Sequence, residues 1–185
     1  MSIYIASSWR NPGYPAVVVA LREAGHDVYD FRNPAPGNAG FGWRQCDPRP
    51  PSEWTVEDYR RVLAMPRAQE GFAFDMAALR ACDVCVLVLP CGRSAHLELG
   101  WAAGAGKRTL VLCERIDEPE LMYLMCGGPE VICASVGELL ARLAECPVCD
   151  DGECMAHVRR PDALTADERA ARAEAPGFER APGKP

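Results

Sequence analysis

Asp83-Val84-Cys85-Val86-Leu87-Val88-Leu89 decides the fold of this chain, with Asp75-Met76-Ala77-Ala78-Leu79-Arg80-Ala81-Cys82 ahead of it and Leu97-Glu98-Leu99-Gly100 behind. Val84 to Leu89 is an unbroken apolar run, the pattern of a strand buried on both faces of a parallel sheet. Pro66 to Ala81 precedes it as a helix, with the proline at a tolerated first-turn position. Ala95 to Ala105 follows as a second helix, closed by Gly106. Asp75 therefore rides the helix before the strand, and Glu98 sits just past the strand's carboxyl end. In open α/β sheets ligands bind at that end, and a pair of acids converging there suits the making and breaking of a glycosidic bond.

Working outward, the alternation continues on both sides. Ile3 to Ala6 reads as a first strand, Tyr14 to Ala24 as a helix closed by Gly25, and Asp27 to Phe31 as a second strand. Arg32 to Glu53 is rich in Pro and Gly and too long for an ordinary connection, as lids and binding loops are. Thr55 to Ala64 suits a helix. Beyond the central motif come a strand at Thr109 to Cys113, a helix at Glu118 to Met125, a short strand at Val131 to Cys133 and a closing helix at Val136 to Glu145. Five alternations predict an α/β three-layer sandwich, flavodoxin-like or Rossmann-like, around a five-stranded parallel sheet. The favoured strand order puts its switch point between the first and third strands. This domain covers 1–145; a Cys/His-rich appendage follows at 146–158, and a charged tail, expected to be mobile, at 159–185.

A chain of 185 residues with 49% apolar content can build one real core. Its net charge of −6 argues against a nucleic-acid polymer as partner. No apolar run is long enough to span a bilayer. The start, Met1-Ser2-Ile3-Tyr4-Ile5, lacks the basic region of an export signal, so a cytoplasmic protein is expected. Among ten cysteines, Cys82, Cys85, Cys113 and Cys133 lie in apolar runs and read as reduced core residues. Cys146, Cys149, Cys154 and His157 supply the four ligands of a structural zinc site, although the spacing departs from common fingers and ribbons; free thiols or a redox-sensitive pair are the alternatives. No cofactor is expected for catalysis.

Ser94 is read as the N-cap of the helix after the central strand, which puts Glu98 about one turn in, where the helix dipole favours an ionised carboxylate. Phe72, Met76 and Leu79 mark a core face of the preceding helix, with Asp75 at its border. A partly buried acid there serves either as general acid or base or as a hydrogen-bonding anchor.

At these residues the chain resembles the nucleoside 2-deoxyribosyltransferase family and its relatives, the nucleoside 5′-monophosphate N-glycosidases. Ile3-Tyr4-Ile5-Ala6-Ser7-Ser8-Trp9 is similar to the family's first strand and following loop. Asp75 with Leu79, Cys82 and Asp83 resembles its acidic helix. Leu97-Glu98-Leu99-Gly100-Trp101-Ala102 with Gly106-Lys107 resembles its Glu-Leu-Gly signature. The resemblance implies that Glu98 is the nucleophile that holds the sugar covalently, that Tyr4 orients Glu98, and that Asp75 holds or protonates the departing base. It also implies a homo-oligomer, because Glu120 to Met125 resembles a segment that reaches into a neighbouring subunit's site. An ordinary amphipathic helix explains Leu121, Leu124 and Met125 equally well.

One departure concerns substrate. The family's transferases carry an acid in the loop before the nucleophile, whereas this chain has Cys91-Gly92-Arg93-Ser94. Gly92, Arg93 and Ser94, with Ser7, Ser8, Trp9 and Arg10 of the first loop, form a candidate substrate-binding set in which the guanidinium groups suit a phosphate. The alternative is that both arginines are surface charges. Trp9, Phe41, Trp43 and Trp101 are candidates for stacking on a base, or for packing. His96 is read as a ligand contact or a helix-surface histidine. The expected ligand is a small nucleoside or nucleotide, with no membrane partner. Two other function classes stay open: a Toll/interleukin-receptor-like domain that cleaves NAD or senses nucleotides, and an inactive nucleotide-binding module.

Overall fold

The structure, a computed structural model, describes residues 1–145. Five strands, β1 (Ser2–Ala6), β2 (Asp27–Tyr29), β3 (Val84–Val88), β4 (Arg108–Leu112) and β5 (Ile132–Cys133), form one sheet. Every pairing is parallel and the order is β2-β1-β3-β4-β5. The chain steps outward from β1 to β2 and then returns to β1's other side, so the switch point lies between β1 and β3 as the alternation predicts. All five residues of β3 are buried, which is why it carries no polar residue.

The helices are α1 (Tyr14–Glu23), α2 (Val56–Leu63), α3 (Pro66–Ala81), α4 (Arg93–Gly104) and α5 (Val136–Ala144). α1 packs with α5, while α3 packs with α4 against β1 and β3. Gly25 (φ 85°) and Gly106 (φ 72°) end α1 and α4 in the left-handed conformation that glycine adopts without strain. Among the described residues no helix is long and apolar enough to cross a membrane. Nor do those residues hold a group of three or more metal-ligating side chains; Cys146, Cys149, Cys154 and His157 lie outside them.

Four local expectations change, each for a visible reason. β2 stops at Tyr29 because the Asp30 carboxylate accepts from the Arg32 amide (2.9 Å) and the Asn33 side chain (2.9 Å), turning the chain. The helix expected at Glu118 to Met125 is a 3₁₀ turn at Leu121–Cys126, begun by the Glu120 carboxylate on the Met122 amide (2.8 Å) and ended by Gly127 (φ 120°). The cap of α4 is Gly92, not Ser94, because extended backbone at Gly92 starts the helix two residues earlier than expected. Finally, Phe72 is 61% exposed. The inward face of α3 instead runs through Ala68, Gly71, Asp75 and Leu79, at the three-to-four spacing of one helix stripe. Asp75 therefore occupies a core-facing position.

The long connection is tied down by charge. Asp47, buried, accepts from Arg49 and Arg61, and Asp58 accepts from the same two arginines while capping α2 through Thr55. At the opposite, amino-terminal edge of the sheet, Lys107 Nζ donates to the carbonyls of Arg80 (2.8 Å) and Cys82 (2.7 Å), closing the end of α3. The Gly106-Lys107 pair is thus a structural clasp far along the strand from Glu98. Lys107→Ala is expected to lower stability by about 1–2 kcal/mol, the loss of two charge-assisted bonds at a partly exposed site. Urea denaturation checks this.

Candidate active site

The register of the sheet places Tyr29, Tyr4 and Cys85 in one transverse row across β2, β1 and β3. Tyr4 and Tyr29 stack, with ring centroids 5.3 Å apart and planes 14° from parallel. A buried tyrosine needs a partner for its hydroxyl, and each of these finds a carboxylate. Tyr29 Oη donates to Asp75 Oδ1 at 2.9 Å, and the Tyr4 phenol hydrogen-bonds Glu98. The two acids come from different helices, α3 and α4, and meet over the same pair of rings.

Their electrostatics follow from that meeting. Burial, reinforced by the charge of Asp75, pushes Glu98 up to about 8, against the opposing hydrogen bond from Tyr4. Burial also raises Asp75, while the Tyr29 hydroxyl holds it back. Both phenols are raised, first by burial and then by the neighbouring carboxylates, so at neutral pH each remains a proton donor. The pair forms a dyad in which both members are pushed toward the protonated form. The expectation that the helix dipole keeps Glu98 ionised fails on position as well: α4 begins at Arg93, so Glu98 lies in the second turn, beyond the dipole's short reach.

The remaining sequence candidates separate. Ser7 Oγ donates to the Val88 carbonyl (2.8 Å) and accepts from Asn11 Nδ2 (3.1 Å), fastening β1's end to β3's. Ser8 Oγ accepts from the Arg10 amide (3.1 Å) in a local turn. Trp9 is half-exposed and meets Phe31 edge-on at 5.5 Å. Arg10, in the loop after β1, and Arg93 and Ser94, in the first turn of α4, are exposed on either side of the switch point. Trp43 packs edge-on against Phe41, Trp54 and Tyr59. His96 bridges two neighbours: its Nδ1 lies 3.1 Å from the Gly92 carbonyl oxygen and its Nε2 3.0 Å from Tyr123 Oη.

Cys91 lies 3.4 Å from His96. Burial and the Glu98 carboxylate push its thiol up to about 11, so it is not a thiolate nucleophile at neutral pH. A groove of about 770 Å³ is lined by Cys91, His96, Met122 and Tyr123 but not by Glu98. Asp75 borders a much narrower crevice.

Sequence reading missed Tyr29 and Arg32. Tyr29 carried a signal, since it shares Tyr4's place in the strand alternation. Arg32 carried none: it reaches back to the first loop, where its Nη2 donates to the carbonyls of Ser8, Trp9 and Asn11, each at 3.0 Å.

No family model matches the chain, and no curated protein matches it. Solved structures do. A 2-deoxyribosyltransferase from Bacillus psychrosaccharolyticus is similar at 18% identity over 76% of this chain and 90% of that one, with a TM-score of 0.45. A CMP N-glycosidase from Clostridium botulinum is similar at 16% identity over 78% of this chain and 100% of that one, with a TM-score of 0.44. A conserved protein from Enterococcus faecalis is similar at 17% identity over 76% and 95%, with a TM-score of 0.48.

The raised Glu98 carboxyl has a consequence for stability. Below about pH 4.5 the group is protonated folded or unfolded; as pH rises toward about 8 the unfolded chain ionises it freely and the folded chain does not. Folding stability therefore declines across that window. Glu98→Gln should remove this slope, matching wild type in acid and exceeding it by on the order of 2 kcal/mol at the alkaline end. Denaturation measured across the pH range checks it.

Proposed function

We propose that this protein cleaves the N-glycosidic bond of a nucleoside or nucleoside 5′-monophosphate in two steps, with Glu98 as nucleophile. The observation that carries the reading is the dyad: Glu98 and Asp75 share one desolvated corner at the sheet's switch point, each held by a tyrosine. The motif resemblance to the nucleoside 2-deoxyribosyltransferase family supports the same assignment.

In the first step Glu98 Oε attacks the anomeric carbon as the carbon–nitrogen bond breaks, and the dyad's proton passes through Asp75 to the departing base. Tyr4 keeps the attacking oxygen aimed. In the second step Asp75, now ionised, accepts a proton from the acceptor that displaces Glu98. Water as acceptor gives hydrolysis; a second base gives transfer. Positive charge developing on the sugar favours the ionised form of Glu98, which drives the proton toward Asp75 when it is needed.

Arg10, Arg93 and Ser94 would meet a 5′-phosphate, with the backbone N–H groups that open α4 adding to the cradle. Ser7, Ser8, Trp9 and Gly92 would shape the loops around it. Leu97 and Leu121, each 75% exposed, with Met122, Leu124 and Met125, make an apolar surface that suits a second copy of the chain. A cytoplasmic setting accords with the free thiols of the seven described cysteines.

Incubation with a 2-fluoro-sugar nucleoside, followed by digestion and mass spectrometry, should find the sugar on Glu98; an adduct elsewhere would reject the assignment. Glu98→Gln should cost turnover by at least about a thousandfold. Because the first step consumes the dyad's single proton, kcat/KM should fall as pH rises through about 8. Sedimentation at micromolar concentration should give an oligomer that Leu124→Asp converts to monomer.

A further inference from the structure

Tyr29 belongs to none of the motifs that carry the family resemblance, yet its place is fixed from two directions. β2 is three residues long, and its register on β1 pairs Tyr29 with Tyr4. The next residue, Asp30, is buried and accepts from Tyr14 Oη (2.7 Å), the Arg32 amide (2.9 Å) and Asn33 Nδ2 (2.9 Å), which anchors the strand's end. The Tyr29 ring lies against Tyr4 with centroids 5.3 Å apart. Held this way by the sheet, its hydroxyl stands 2.9 Å from Asp75 Oδ1 on α3. Among the described residues Tyr29 is the one side chain that hydrogen-bonds Asp75. With Oδ1 accepting from a phenol, the proton of a neutral Asp75 belongs on Oδ2.

We infer that Tyr29 is the positioning residue of the proton transfers: it keeps Oδ1 of Asp75 occupied, so that Oδ2 alone gives a proton to the departing group and takes one back from the acceptor. The inference rests on the proposed glycosidic cleavage and adds the residue that governs its proton step. In the first step the Oδ2–H bond breaks and its proton passes to the departing group, which keeps the electron pair of the carbon–nitrogen bond as Glu98 bonds to the anomeric carbon. In the second step the acceptor bonds to that carbon, its proton goes to Oδ2, and Glu98 recovers the electron pair of the ester bond. Asp75 is ionised between the two steps, and a phenol donor favours that form. Burial raises the Tyr29 phenol, so the donor does not surrender its own proton to the carboxylate.

The test removes the hydroxyl and keeps the ring. Tyr29→Phe in the full chain is compared with wild type on two kinds of probe. One is the common 2′-deoxynucleosides and their 5′-monophosphates, whose departing base takes a proton. The other is the corresponding glycosyl fluoride, whose leaving group needs none. Tyr29→Phe should lower kcat/KM on the base substrates about ten- to a hundredfold, the scale of one hydrogen bond to a charged group. On the fluoride the loss should stay within about threefold. The alkaline fall of kcat/KM should move to higher pH, because the carboxylate has lost the donor that favours its ionised form. In an Asp75→Asn background Tyr29→Phe should cost nothing further, because its effect runs through that carboxyl. 3-Fluorotyrosine incorporated at position 29 keeps the ring and strengthens the donor, so it should move the fall to lower pH instead.

Equal losses on base and fluoride would make the contact merely structural and overturn the inference. Wild-type rates on the base substrates in Tyr29→Phe would overturn it as well, as would a full Tyr29→Phe loss on top of Asp75→Asn. If Tyr29→Phe fails to fold, the fluorotyrosine protein decides, and an unmoved pH profile there rejects the role. All of these leave Glu98 as nucleophile. Wild-type protein inert toward both kinds of probe refutes the proposed function, and this inference with it.

Discussion

Two carboxyl groups in one dry corner cannot both carry full charge at neutral pH, and the arrangement around the switch point follows from that constraint. Tyr29 and Tyr4 are where they are because each acid needs a donor that stays a donor, and a phenol raised by burial never competes for the proton. The stacked rings in turn exclude water, which raises the acids. Burial raises both carboxyls, Glu98 to about 8 with the charge of Asp75 adding to it, while the tyrosine hydroxyls pull the other way.

The sheet divides its labour between its two edges. At the amino-terminal edge the contacts are clasps: Lys107 on the end of α3, and the Asp83 carboxylate on the Ser2 amide (2.8 Å) and hydroxyl (3.0 Å). At the carboxyl edge, polar groups serve loops, as when Ser7 spans from β1 to the Val88 carbonyl. This separation lets Asp75 occupy a core-facing position without unravelling α3, because the helix is pinned at its far end by Lys107.

Much of the fold could be read from local pattern. Val84 to Val88 announced a buried parallel strand because no polar residue interrupts it, and α3 has the bounds that Pro66 and the break before Asp83 impose. Asp75 and Glu98 stood out as carboxylates beside that strand. What local pattern did not carry was which way each helix turns. Phe72 looked like core and Asp75 like border, yet Phe41 arrives from thirty residues away to cover Gly71 and rotates the stripe by a position. The ionisation of Glu98 was misjudged for a related reason: a dipole argument weighs only its own helix, whereas burial by β1 and α3 dominates. Tyr29 and Arg32 reach the candidate site only through sheet register and a long reach back to the first loop.

Arg32 has one more effect. By holding the carbonyls of Ser8, Trp9 and Asn11 while its guanidinium lies 4.5 Å from the centre of the Tyr14 ring, it fixes the segment after β1 in place. A recognition surface assembled in advance spends no ordering entropy at the moment of encounter. On this side of the cleft, no loop has to order itself around an arriving molecule.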